Sequence, residues 1–220
     1  MRTLVLDCAT QALSLALFDD DDCTAHQYRL MSRGHAEALV PMIGEMLDGG
    51  RADAVAVDVG PGSFTGIRVG LAAARALGLA WGVPVAGYGC LPLCAAMARG
   101  DSTDPIAIVM TGGHGELFSQ RFDPLSMAPL DALASTPVAD LAGRLTDARV
   151  HGSGAVALIA ARGWGEAVDC LPDARFWTLL PAAYRSLPPT AHYGREADAK
   201  PMVPAAVAVG EVGTVGGAAA

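Results

Sequence analysis

Residues 57–80, VDVGPGSFTGIRVGLAAARALGLA, constrain this chain more than any other segment. A short apolar strand enters a glycine-rich loop, and the loop enters a long helix whose only charges are Arg68 and Arg75. Gly60, Gly62 and Gly66 bracket Pro61, Ser63, Phe64 and Thr65, so the backbone there can turn sharply and approach another group closely. Along the helix, Gly66, Gly70, Ala74 and Gly78 recur at four-residue spacing, which lines small residues on one face. Glycine inside a helix costs about 1 kcal/mol relative to alanine. Close approach of another helix backbone would offset that cost. The stripe therefore predicts a docking seam flanked by Ile67, Leu71 and Leu77.

The rest of the chain sets this segment in an α/β pattern. Residues 3–8, 13–18 and 23–29 are apolar and β-prone, with Asp19–Asp22 as a tight acidic turn, which predicts an antiparallel meander. Ser32 is placed to cap a helix running to about Leu47, with Ala36, Leu39, Ile43 and Leu47 on one face. Strands follow at 54–59 and 84–88, separated by the glycine loop and its helix, and a short helix at 91–98. After a polar connector the pattern restarts, with strands at 106–110 and 116–122 and a helix at 138–145 begun by Pro137. Val150 leads through Gly152-Ser153-Gly154 into a helix ending at Arg162, and 176–184 reads as a further amphipathic helix. A meander followed by alternating strand and helix describes a ribonuclease-H-like half. The expected architecture is two such halves, mixed sheets flanked by helices, as in actin-like ATPases of the ASKHA type. The domains are expected at 1–100 and 101–204, with 205–220, rich in Ala, Val and Gly, as a flexible tail.

The glycine loop has two chemical readings. Backbone amides at a helix N-terminus bind anions, so Gly60, Gly62 and Ser63 could face a phosphate. Equally, the loop is a tight strand-to-helix turn packed at an interface. It is not a P-loop, since no Lys-Ser/Thr follows the glycines. The spacing Gly60-x-Gly62-x-x-x-Gly66 is wrong for a dinucleotide fingerprint, and no acid lies between Asp58 and Asp101 to hold a ribose. Ser63 lacks the flanking glycines of a nucleophile elbow. Asp7 and Thr10 close the first strand, where actin-like ATPases put an acid and a phosphate loop, but no glycine accompanies them. Gly152 and Gly154 occupy the corresponding place in the second half.

Composition excludes several classes. Hydrophobic residues make up 52% and charged residues 17% of 220, which is a globular balance. The net charge is −8, and the 15 basic residues are arginines except Lys200. Such a chain is a poor RNA binder alone, because phosphate neutralisation dominates that affinity. The five cysteines, Cys8, Cys23, Cys90, Cys94 and Cys170, are odd in number and scattered. They predict no disulfide framework and fit a reducing cytosol. Cys90 and Cys94 lie four apart, but no second pair and no near histidine completes a metal set, so core thiols and no metal are expected. His35, beside Glu37, reads as packed or solvated. Arg75 and Gly82-Val83-Pro84 interrupt the apolar stretch 69–98 before it becomes a membrane span, and Thr3–Asp7 enters a strand with no basic leader. The expected location is cytoplasmic.

Over Asp7–Ala80 the chain resembles the TsaB (YeaZ) family. The resemblance rests on Asp7, on Ser32-Arg33-Gly34-His35-Ala36-Glu37 before Leu39 and Pro41, and above all on Gly60-Pro61-Gly62-Ser63-Phe64-Thr65-Gly66-Ile67-Arg68-Val69-Gly70. It weakens in the second half and returns at Tyr193-x-Arg195 and Asp198-Ala199-Lys200-Pro201. The catalytic relative TsaD shares Gly-Pro-Gly and differs after it. TsaD holds its metal through two histidines on the segment where this chain has Cys90 and Cys94. Met110-Thr111-Gly112-Gly113 replaces the family's Asp-Ala-Arg, and Ala191-His192 replaces a proline before Tyr193.

The resemblance implies an actin-like fold with no catalytic residues and no cofactor of its own, ATP or ADP being candidates only for a shared interface. It implies pairing through the N-terminal half with TsaD, with TsaE joining as the ATPase. TsaD then transfers threonylcarbamoyl to adenosine 37 of tRNAs reading codons that start with A, and this chain meets tRNA only through the complex. Without TsaD, the same face would close an isologous homodimer. The competing classes are a glycoprotease-type metallopeptidase and a stand-alone kinase or ATPase of the same fold.

Overall fold

The computed structural model describes residues 1–100 and 103–194. The first sheet is built from β1 (Arg2–Asp7), β2 (Ala12–Asp19), β3 (Asp22–Leu30), β4 (Ala54–Asp58) and β5 (Val85–Tyr88). Its spatial order is β3-β2-β1-β4-β5. The meander β1-β2-β3 is antiparallel, and β4 and β5 add on parallel to β1. Helices α1 (His35–Gly44) and α2 (Phe64–Trp81) make the crossovers, and α3 (Cys90–Ala98) leaves the last strand.

The second sheet repeats this plan. It comprises β6 (Ile106–Thr111), β7 (Glu116–Phe122), β8 (Ala134–Pro137), β9 (Arg149–His151) and β10 (Glu166–Val168), with α4 (Val138–Arg144) and α5 (Ala155–Arg162) as crossovers. Read from the meander edge, its order is β8-β7-β6-β9-β10, with β9 and β10 parallel to β6. Two mixed five-stranded sheets flanked by helices thus form the expected α/β fold.

Alternation along the strands sorts side chains into three cores. Leu4, Leu6, Leu13, Leu15 and Leu17 face α1 and α2. Ala107, Val109 and Leu117 face α4 and α5. The opposite faces, with Val5, Ala16 and Phe18 from one sheet and Ile106, Ile108, Met110, Phe118 and Phe122 from the other, share a central core with α3. The segment after β10 reaches into that core as a 3-10 turn, Ala174–Leu179, whose Trp177 ring lies 5.7 Å from that of Phe18. Its anchor is Asp173, only 6% exposed, which caps the turn by accepting from Arg175 N. The Asp173 carboxylate also accepts from Ser14 Oγ at 3.3 Å, lies 2.9 Å from His26 Nε2 and pairs with the Arg175 guanidinium.

Several local expectations change. Ser32 does not cap α1; Gly34, at φ 89, occupies that position, and the helix stops at Gly44. The 176–184 helix is two 3-10 turns, Ala174–Leu179 and Ala182–Tyr184, because Pro181 between them has no amide to continue a helix. Strands β8 and β10 were not expected. The proposed tail at 205–220, with Arg195 and the Asp198–Pro201 motif, lies outside the described residues.

Candidate functional site

Three strand ends converge beneath the glycine loop. Asp7 closes β1, Asp58 closes β4 and Tyr88 closes β5, and all three are buried. Asp58 Oδ1 accepts from Gly60 N at 2.8 Å, and Asp7 Oδ1 accepts from Ala9 N at 3.3 Å. Tyr88 Oη donates to Asp7 Oδ2 at 3.2 Å and also reaches Leu6 O at 3.1 Å. Asp58 Oδ2 is buried without a hydrogen-bond partner, and the Asp7 carboxyl and the Cys90 backbone N–H are the groups near that carboxylate. Burial of two carboxyls so close together favours the protonated form, in which one acid keeps its proton beneath the loops. Burial, aided by mutual repulsion, raises the Asp7 pKa well above the usual carboxylate range, and burial pushes Asp58 up to about 7. The pair is a structural staple under two loops.

Those loops zip together. Ser63 N donates to Ala9 O at 2.7 Å, and Cys90 Sγ donates to Pro61 O at 2.9 Å. A methyl group on Gly62 would strike the Ala9 carbonyl oxygen, and one on Gly154 would meet Leu117 and the Met110 backbone. Gly60 has φ 102 and lies under the His192 carbonyl. Gly152, at φ 119, packs on the Val109 carbonyl in the same way. The four glycines assigned to phosphate contact thus accommodate the chain's own backbone. Asp7 itself is fully buried beneath the loop. Of the other two residues in that set, Thr10 and Ser63 line a groove of about 440 Å³ between the starts of α1 and α2. Ser63 and Gly62 also border an interlobe cleft of about 310 Å³ with Thr111, Ser153 and Tyr193.

The small-residue stripe needs a correction. Gly66, Ile67, Gly70, Leu71, Ala74 and Gly78 form the buried face of α2, and Leu77 is half-buried beside them. Gly66 packs on the Cys8 carbonyl, Gly70 on Val57 and Cys8, and Gly78 on Val85. What approaches so closely is the chain's own first sheet and the loop after β1, not a partner helix. Ser63 caps the helix, its Oγ accepting from Gly66 N at 3.2 Å.

A different row points outward. Ala72, Ala76 and Ala80 are exposed at four-residue spacing, with Leu79 87% exposed among them. Ala36 and Val40 are exposed on the neighbouring α1. At its N-terminal end this face meets a strap formed by 187–193. Leu187 exchanges backbone hydrogen bonds with Gly87, Arg75 donates to Pro189 O at 2.8 Å, and His192 N donates to Val59 O at 2.8 Å. Arg68 lies over the Phe64 ring, 3.5 Å from its centre, and donates to Tyr193 Oη at 2.9 Å. Three residues of the resembling motifs, Phe64, Arg68 and Tyr193, thereby meet at one corner. The sequence signal missed here was the second four-residue row, visible in AAARALGLA.

Cys90 and Cys94 are both fully buried in the central core, as expected for packing thiols. Burial drives the Cys90 thiol well above its usual range, which opposes the thiolate a metal would need. Among the described residues no group of three or more His, Cys, Asp or Glu is arranged to hold a metal ion. Nor, among the described residues, is any helix long and apolar enough to cross a membrane.

Comparison with known proteins fits this picture. Residues 27–171 match the family model described as TsaD: tRNA N6-adenosine threonylcarbamoyltransferase. The Escherichia coli (strain K12) tRNA threonylcarbamoyladenosine biosynthesis protein TsaB is 38% identical over 96 residues, 41% of this chain and 41% of that protein. An uncharacterized protein of Mycobacterium leprae (strain TN) is 31% identical over 215 residues, 90% of this chain and 56% of the relative. The chain thus spans about two-fifths to just over half the length of these curated relatives. YeaZ from Pseudomonas aeruginosa superposes with a TM-score of 0.67 at 26% identity, covering 80% of this chain and 88% of that one. The chain therefore belongs to the TsaD family of tRNA N6-adenosine threonylcarbamoyltransferases, and within it stands with the TsaB (YeaZ) proteins of the actin-like superfamily.

Proposed function

We propose that the protein is a non-catalytic partner of TsaD in the cytoplasmic formation of threonylcarbamoyladenosine at tRNA position 37, with TsaE as the ATPase of the assembly. The outward face of α1 and α2 carries this reading. Ala72, Ala76 and Ala80 keep the helix surface low, and Leu79 on α2 and Val40 on α1 are exposed apolar side chains. Apolar side chains left exposed on neighbouring helices suit a protein-binding site. Alanines at four-residue spacing let another helix approach closely. The full burial of Cys90 and Cys94, where the catalytic relative has metal ligands, supports a supporting role over transfer chemistry. Its acidic charge leaves tRNA contact to the partner. Without TsaD the same face pairs two copies of the chain.

The deciding experiment is capture of TsaD by the Leu79→Arg and Ala76→Arg variants. Both side chains are exposed, so thermal midpoints stay at the native value while affinity falls at least tenfold, because a buried unpaired charge costs several kcal/mol (about 3 or more). Undiminished capture would overturn the docking face. Nucleotide titration belongs in the same experiment: ATP or ADP binds the complex at the groove edged by Thr10 and Ser63, and not the isolated chain. Metal content and ATP turnover of the isolated chain separate this reading from a peptidase and a kinase.

A further inference from the structure

The connector from β10 to the Ala174–Leu179 turn reaches the first sheet, where Ala174 N donates to Ser14 Oγ of β2 at 2.9 Å. Beside it, towards β3 and the end of α3, lies a groove of about 480 Å³. Met97, Leu171 and Phe176 give the groove an apolar wall, and His26 and Tyr28 line it from β3. Asp169 and Arg175 bring opposite charges to it. Asp173, the other acid there, is buried and already engaged by Ser14 Oγ, His26 Nε2 and both the amide and the guanidinium of Arg175. A carboxylate only accepts, so His26 Nε2 carries the hydrogen of that bond, and Nδ1 of the neutral ring is left as an acceptor. The half-exposed Arg175 guanidinium spends one nitrogen on Asp173 and lies 4.8 Å from the centre of the Phe176 ring. Its other side-chain nitrogens, the exposed Asp169 carboxylate and Tyr28 Oη are unpartnered among the described residues.

We propose that this groove binds a free α-amino acid with an apolar side chain. Its carboxylate takes Arg175 and Tyr28, its ammonium takes Asp169 and Nδ1 of His26, and its side chain lies on the apolar wall. Charge complementarity selects this occupant. An inorganic anion would suit Arg175 and leave Asp169 facing a like charge, and a simple amine would do the reverse. A zwitterion answers both charges at once, with charge-assisted hydrogen bonds at each end. An apolar wall with a few convergent polar groups is the make-up of a small-molecule site, and the volume is in the range such sites occupy. The groove is walled by β3 and α3 on one side and by the connector of the second half on the other, so its occupant holds the two halves together. Binding therefore stabilises the folded chain. The site shares no residue with the outward face of α1 and α2 and does not depend on docking there.

The test titrates the full chain with L-leucine and L-phenylalanine, read by calorimetry and by thermal midpoint. The expected result is saturable binding of one molecule per chain and a midpoint that rises with ligand concentration. Leucinamide, which lacks the carboxylate, and N-acetyl-leucine, which lacks the ammonium, bind at least tenfold more weakly, the loss that follows removal of one charge-assisted contact. Glycine, with no side chain for the apolar wall, binds more weakly than leucine. In Asp169→Asn the affinity for leucine falls at least tenfold and the preference over N-acetyl-leucine disappears. In Arg175→Gln the preference over leucinamide disappears. Arg175 also braces Asp173, so that variant can lose stability; Asp169 is exposed and unpartnered, so Asp169→Asn keeps the native midpoint and still decides. No saturable binding of either amino acid, or leucine binding undiminished in Asp169→Asn, would overturn the proposal. Leucinamide or N-acetyl-leucine binding as tightly as leucine would overturn it too, in favour of a chain terminus of another protein.

Discussion

The two halves share one strand order and diverge in how they use it. In the first, the crossover helix α2 runs 18 residues, lies flush on the sheet through Gly66, Gly70, Ala74 and Gly78, and leaves an apolar outer row. In the second, the equivalent α5 runs eight residues and follows a turn held by Ser153 Oγ, which accepts from Thr111 N at 3.0 Å. The first half puts two buried acids under its glycine turn. At the corresponding strand ends the second half has Thr111 and His151. The topology needs neither a long helix nor a carboxyl pair. Those additions are specific to the first half, where the glycine turn and the outer row of α2 lie.

Glycine substitutions in the helical layers of the two halves sharpen this contrast. The largest effect is expected from Gly66→Ala, whose methyl meets the Cys8 carbonyl: urea unfolding should show a loss of about 2–3 kcal/mol. Gly143→Ala in α4 has open space around it and should gain about 0.5–1 kcal/mol. Equal effects would break the distinction between the two helical layers.

Next in size is the acid pair. Burial raises the folded-state pKa of Asp58 from the ordinary 3.8 to about 7, so the folded chain keeps a proton that the unfolded chain releases. The pair's contribution to stability is therefore full below about pH 4 and drains away as pH rises to 7 and beyond. Asp58→Asn keeps an oxygen for Gly60 N and carries no charge. Its stability should change less between pH 5 and 8 than that of the native chain, and exceed it at pH 8. A steeper decline in the variant would refute the retained proton.

Asp173→Asn probes the contact by which the second half reaches the first. It weakens the ion pair with Arg175 and the bond to His26, and a loss of about 1–2 kcal/mol is expected by thermal unfolding. The smallest effect, about 0.5–1 kcal/mol, should follow Arg68→Ala, which removes the exposed contact with Phe64 and Tyr193.

Much of the fold was legible in the sequence because alternation is a local signal. The strands at Arg2–Asp7, Ala12–Asp19 and Glu116–Phe122 follow their apolar periodicity to within a residue or two. Ala134–Pro137 carries no apolar alternation, and its pairing with β7 supplies the structure its own residues do not announce. The site was less legible. Four-residue spacing establishes that α2 has a small-residue face, but not on which side the sheet lies. Two such rows exist, and only packing against Cys8, Val57 and Val85 decides which is inside. Asp58 offered a usable clue, since a carboxylate between two valines at a strand end is an acid on its way into a core. The link from Ser14 to Asp173 spans the chain and leaves no mark in either neighbourhood.

The exchange of connectors across the central core also orders events during synthesis. Residues 1–100 leave the ribosome with Val5, Ala16 and Phe18 on an inner face that lacks its lining from Trp177 and Leu180. That face stays wet until the last third of the described chain has emerged, and α3 in turn waits for β6 and β7. Neither half can finish alone, so a nascent chain arrested near its midpoint offers an apolar surface to chaperones rather than a completed domain.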